Sequence, residues 1–223
     1  MLEYLSFTFG KLAEQSPAVY AALAILAALF LALFFTARTV KWNARMLAMA
    51  SLCIALSFVL SCVRLYRMPQ GGSITLASML PVMLFAYAYG FGPGLVCALA
   101  YGLLQFFQDM YIVNIFQVLL DYPLAFAALS LAAFFRGWKH PLALPAGVLL
   151  GSAVRVLMHV LSGVIFFAEY AEGSGHGPVV YSLIYNLSSV GIDGLIVAAL
   201  SFLPAVRGLA ERICAPQTGK FAS

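Results

Sequence analysis

Residues 74–108 read ITLASMLPVMLFAYAYGFGPGLVCALAYGLLQFFQ, a stretch without one charged side chain. One helix of about 20 residues already crosses a hydrocarbon core of ~30 Å, so this run is too long for a single span. It has to turn back on itself. The reversal is legible at Tyr89-Gly-Phe-Gly-Pro-Gly94, where glycines and a proline punctuate the apolar pattern, and helices are predicted at about 75–89 and 93–107. Continuous runs of this length also argue against a membrane β-barrel, whose strands would read as short alternating segments.

The rest of the chain fits the same reading. Of its 223 residues 64% are hydrophobic and only 9% charged, far from the balance of an ordinary soluble domain. Further spans are predicted at residues 18–36, 46–63, 114–135, 143–168 and 179–204. The fold class is therefore all-α: a polytopic membrane protein with a six-helix core and one extra N-terminal transmembrane helix. Residues 1–42 hold that extra helix, 43–206 form the membrane domain, and 207–223 form a cytoplasmic tail. Glu3 and Glu14 precede the first span where a signal peptide would be basic, so the span is expected to stay in the mature protein.

Charge sets the expected orientation. Arg38, Lys41, Arg45, Arg136, Lys139, Arg207, Arg212 and Lys220 all fall on one side of this topology, which makes that side cytoplasmic and the N-terminus external. The net charge of +4 thus reports topology and gives no support to nucleic-acid binding. Cys53, Cys62, Cys97 and Cys214 are scattered, with no histidine at metal-ligand spacing, and read as packing residues. No metal or cofactor is expected.

Polar residues inside the spans carry the functional signal, because a carboxylate at the centre of a membrane helix costs about 2.5–3.5 kcal/mol on insertion scales. Asp121 is such a residue, in Gln117-Val-Leu-Leu-Asp-Tyr-Pro-Leu-Ala-Phe126. Gln117 stands one turn before it, and Pro123 predicts a kink beside it. Arg155 and His159 share one face of the sixth span, with Gly163 and Phe167 following. Ser182, Asn186, Ser189 and Asp193 share a face of the last, where Asp193 is expected to pair with Arg155. Pro69, Gly71 and Gly72 predict a shaped turn next to Gln70, Ser73, Thr75 and Ser78, with glycine backbone free to approach a small molecule. Together these point to an outward-facing pocket of Tyr111, Asp121, Tyr122, His159, Gly163, Phe167, Tyr181 and Asn186, mostly neutral and acidic. Aromatic planes, a carboxylate and amides suit a flat cationic heterocycle.

Four blocks, Met68-Pro-Gln-Gly-Gly-Ser-Ile-Thr-Leu-Ala-Ser-Met-Leu-Pro81, Gln117 to Phe126, His159-Val-Leu-Ser-Gly-Val-Ile-Phe-Phe167 and Tyr181-Ser-Leu-Ile-Tyr-Asn186, resemble the thiamine-specific S components of energy-coupling factor transporters. The resemblance runs from about residue 44 to 205. It implies a bacterial plasma-membrane protein that captures thiamine outside and docks on a transmembrane coupling protein with two ATPase subunits. It also implies that Asp121 contacts the aminopyrimidine end of thiamine and that aromatic and imidazole rings sandwich the ligand. Phe167 stands where some relatives carry Trp. Docking is expected through small residues on the first core helix, Ala44, Ala48, Ser51 and Ala55. An S component for another vitamin or for a thiamine precursor is the nearest alternative. A small intramembrane enzyme is a more distant one, since no metal-ligand spacing and no nucleophile motif is present.

Overall fold

The computed structural model describes residues 38–69 and 71–214, together with Ala24, Ile25, Ala28, Leu31, Ala32 and Phe35 of the preceding segment. Those six positions are helical and exposed. Most of the predicted first span, Gln70 and the tail beyond residue 214 lie outside the described residues.

The core consists of α1 (Ala44–Cys62), α2 (Leu80–Tyr89), α3 (Phe91–Gln108), α4 (Ile115–Ala133), α5 (Ala143–Phe166) and α6 (Pro178–Ser201), followed by α7 (Pro204–Cys214). Five of these helices are long and apolar enough to cross a membrane, and α2 is a shorter apolar helix. The polytopic all-α architecture is as the sequence implied. Residues 207–214, the start of the stretch read from sequence as a tail, are helical and belong to α7, which packs on α2.

Local chemistry explains the ends. Asn43 Oδ1 accepts from the Met46 amide at 2.8 Å and Asn114 Oδ1 from the Phe116 amide at 2.9 Å, each satisfying a donor that a helix start leaves unpaired. The reversal at 89–94 is tighter than predicted. Gly90 alone separates α2 from α3, at φ +96°, a conformation that side chains with a Cβ resist. Pro93 then falls in the first turn of α3, where its missing N–H removes no helical hydrogen bond.

Two helices are not regular. In α4 an α-helical turn (Ile115–Leu119) gives way to a π-helical segment (Leu120–Leu124) and ends as a 3₁₀ helix (Ala128–Ala133). Pro123 lies inside the π segment and cannot donate to the Leu119 carbonyl, so the expected kink takes the form of a widened turn. A second π segment, Leu187–Gly191, interrupts α6 between Asn186 and Asp193.

Between α1 and α2 the structure places a small antiparallel hairpin where the sequence suggested a loop and an earlier helix start. Its strands are β1 (Arg64–Arg67) and β2 (Ser73–Thr75). Gly71 and Gly72 turn it at φ +90° and +79°, as the Pro-Gly-Gly pattern implied.

Within lipid there is little hydrophobic drive between helices, so close packing has to come from small residues and van der Waals contact. The centre is α2, with Val82, Met83, Phe85 and Ala86 inaccessible. In contrast, α1 buries only the stripe Ala50, Cys53, Ser57 and Ser61. Gly147 on α5 lets that helix lie directly on the Ala132 carbonyl of α4, which a Cβ would strike. Gly147→Ala should therefore destabilise the fold by about 1–3 kcal/mol, the usual range for overpacking. A lower unfolding midpoint in detergent would register it, while Gly137→Ala, with nothing within 4 Å, should leave the midpoint unchanged.

Candidate functional site

The hairpin, the α3–α4 connection, the first half of α4, the end of α5 and the start of α6 surround a cavity of about 400 Å³. All eight residues predicted for the pocket line it, as do Gly71, Gly72, Ser73 and Thr75. Gln70 lies outside the described residues. Ala44, Ala48, Ser51 and Ala55 are exposed on α1 and have no part in the cavity.

Asp121 sits in the π segment of α4 with its side chain 16% exposed. Gln117 Nε2 donates to its Oδ2 at 2.7 Å, the i, i+4 contact expected from the sequence. Ser162 Oγ donates to the same oxygen at 3.0 Å, and His159 Nδ1 lies 3.0 Å from Oδ1. These bonds join α4 to α5 and compensate a charge that would otherwise be costly in the membrane interior. An ionised carboxylate offers about four acceptor sites, so roughly one is left for another donor. Nε2 of His159 is buried without a hydrogen-bond partner.

Aromatic rings form the walls. Phe167 packs against Tyr111 at 5.9 Å and stacks on Tyr170 at 5.8 Å, 7° from parallel. The Tyr111 hydroxyl meets that of Tyr170 at 3.2 Å; this hydrogen bond, and then burial, push the Tyr111 pKa up to about 12. Across the cavity Tyr181 stacks on Tyr185, whose hydroxyl donates to the Gly71 carbonyl at 2.7 Å. Tyr122 donates from its hydroxyl to the Asp109 carbonyl at 2.6 Å and accepts from the Tyr111 amide at 3.2 Å. It therefore braces the α3–α4 connection while its ring lines the cavity.

Asn186 and Gly163 are as much packing residues as lining ones. The Asn186 amide donates to the Ser182 carbonyl at 2.9 Å and to the His159 carbonyl at 3.3 Å. Gly163 admits the Ser182 hydroxyl into the space its own Cβ would fill, and that hydroxyl donates to the Val160 carbonyl at 2.9 Å. The α5–α6 contact at the pocket depends on all three.

The expected Arg155–Asp193 ion pair is absent: no ion pair within 4.0 Å joins them among the described residues. Asp193 Oδ1 instead accepts from the Thr75 amide at 3.1 Å and the Thr75 hydroxyl at 3.0 Å. Arg155 lies 4.2 Å over the ring of Phe126. Its carboxylate partner was claimed by the hairpin, a contact between residues far apart in sequence. The lining is mostly neutral, as expected, but its charged residues are not predominantly acidic. Arg64, Arg67 and Arg155 match Asp109, Asp121 and Asp193 in number, with Arg64 paired to Asp109 at the rim. Attraction for a cation comes from the local field of Asp121.

Sequence reasoning missed Ser162, Tyr170 and Tyr185 as lining residues. Each follows a predicted residue by one turn, after His159, Phe167 and Tyr181 respectively, so extending each predicted face by three or four positions would have found them. The Asp193–Thr75 contact ties β2 to α6. Thr75→Val keeps the shape and loses the hydroxyl, a bond to a charged group, so hairpin amides should exchange about tenfold faster. Hydrogen exchange read by mass spectrometry should register this while α5 amides remain as slow as before.

The family model described as thiamine transporter protein (Thia_YuaJ) matches residues 47–210. The thiamine transporter ThiT of Bacillus subtilis (strain 168) is 32% identical over 145 residues, which cover 60% of this chain and 74% of that protein. A solved structure of ThiT from Listeria monocytogenes is similar in fold, with a TM-score of 0.63 at 24% identity, covering 78% of this chain and all of the other. A transporter family, with no enzyme fold, accounts for the spanning helices and the cavity between their ends. The match over most of the membrane domain establishes that this chain belongs to the thiamine transporter protein family.

Proposed function

We propose that this chain binds thiamine as the S component of an energy-coupling factor importer, taking the vitamin from outside the cell. The observation that carries the reading is Asp121, a carboxylate held in place by Gln117, Ser162 and His159 at the edge of an aromatic cavity. Its free acceptor site suits the amino group of an aminopyrimidine. The thiazolium charge then rests against aromatic faces, each good contact being worth on the order of 0.5–2 kcal/mol. Phe167 and His159 are placed to flank the ligand rings, with Tyr111, Tyr122, Tyr181 and Asn186 completing the enclosure.

Docking and orientation complete the proposal. Ala44, Ala48, Ser51 and Ala55 form an exposed face of small residues on α1, which supports docking of a transmembrane coupling protein there, with two ATPase subunits supplying energy. Arg45, Arg136, Lys139, Arg207 and Arg212 lie toward the helix ends away from the cavity, which supports a cytoplasmic C-terminus and an external pocket.

Equilibrium titration of the purified protein in detergent tests the ligand. Thiamine should bind saturably and more tightly than riboflavin or biotin, and the reverse order would overturn the assignment. Asp121→Asn keeps the shape but loses the charge and one strong acceptor, and should weaken thiamine binding by about one to two orders of magnitude with helicity unchanged. Uptake by cells should stop when the ATPase subunits are removed; uptake undiminished without them would rule out the importer assignment.

A further inference from the structure

The end of the bundle away from the candidate pocket holds a second cavity, of about 550 Å³. Helix order fixes its place. Both α4 and α5 have their pocket residues at one end and the connection 134–142 at the other, and α7 follows the corresponding end of α6. Trp138, Lys139 and His140 from that connection line it together with Arg207 and Glu211 of α7 and Tyr87 of α2.

This cavity is built, and its charge is unbalanced. Trp138 and His140 stack at 4.8 Å, 15° from parallel, and His140 Nδ1 accepts from the Leu142 amide at 3.2 Å, which fixes that wall. Arg207 Nε is buried without a hydrogen-bond partner. Neither Lys139 nor Arg207 has an ion-pair partner among the described residues. Glu211 lines the same space one turn after Arg207 but makes no ion pair with it, leaving two cations to one carboxylate.

The surroundings indicate what kind of anion fits. Phe134, Leu142, Phe202 and Leu203 border these segments in sequence and are exposed, Phe134 by 71%. A water-borne anion would gain nothing from these exposed apolar side chains, whereas a phospholipid would lay its acyl chains along them. A tryptophan at the boundary between apolar and charged surface is also what a membrane interface favours. We infer that this cavity seats the phosphate headgroup of an anionic phospholipid, with Lys139 and Arg207 as its donors and the exposed apolar side chains of the flanking segments against its chains. The inference does not depend on which ligand the other cavity takes.

The test uses the full-length protein in detergent, titrated with phosphatidylglycerol or phosphatidylcholine, with retained lipid read by native mass spectrometry. Phosphatidylglycerol should fill one saturable site about tenfold more tightly than phosphatidylcholine, the neutral headgroup lacking net charge. The double variant Lys139→Gln/Arg207→Gln should weaken it on the order of thirtyfold, about fivefold per cation. Glu211→Gln should strengthen it. Equal retention of the two lipids, or indifference to these substitutions, overturns the inference. So does displacement of the lipid by an equimolar amount of inorganic phosphate, which would identify a site for a soluble anion. If the double variant does not elute as a single helical species, Glu211→Gln decides alone, and unchanged affinity there overturns the inference.

Discussion

A carboxylate inside a membrane-spanning bundle has to be compensated, and the pocket end of this protein is organised around that need. Asp121 takes hydrogen bonds from its own helix through Gln117 and from α5 through Ser162 and His159. Those bonds fix the approach of α5 to α4 at the pocket. In lipid, where apolar burial gives little drive for helices to associate, charge-assisted bonds of this kind and close contacts between small residues carry specificity. The Asp121 cluster supplies the first and Gly163 the second, with the Ser182 hydroxyl lying where a Cβ would stand.

The two π segments extend the same logic. Each adds a residue to a helical turn, shifting the faces that follow relative to the regular spacing. One places Asp121 at the cavity beside Pro123, and the other separates Asn186 from Asp193, so that the former packs against α5 while the latter reaches β2. The hairpin is thereby held to α6 at two levels, Tyr185 on Gly71 and Asp193 on Thr75. These contacts join α6 and the hairpin into one hydrogen-bonded wall of the cavity.

The two ends of the bundle differ in kind. One end presents aromatic rings, the Asp121 carboxylate and the Arg64–Asp109 pair around a cavity. The other presents a lysine and an arginine without ion-pair partners among the described residues and an aromatic stack. Such asymmetry is what a protein fixed across a membrane requires, since its two faces meet different solvents and different partners.

Much of this was readable from the chain. Continuous apolar length, broken at Gly90, implied a polytopic all-α bundle, because the bilayer imposes a length on any span. Rare polar residues within those spans named the pocket, because only an interior site makes them tolerable. Helical spacing paired Gln117 with Asp121, a local contact that the sequence alone determines. Tertiary structure decided the rest. Whether Arg155 would meet Asp193 depended on Thr75, which arrives from a distant hairpin and takes the carboxylate. That Asn186 and Gly163 serve helix packing as well as the cavity depended on how closely α5 and α6 approach. The form of the irregularity at Pro123 was equally open, since a missing hydrogen bond can be met by a bend or by a wider turn. Sequence determines what each segment must bury and what it cannot bond locally; the competition among distant groups for the same donors and acceptors is settled only when the segments pack.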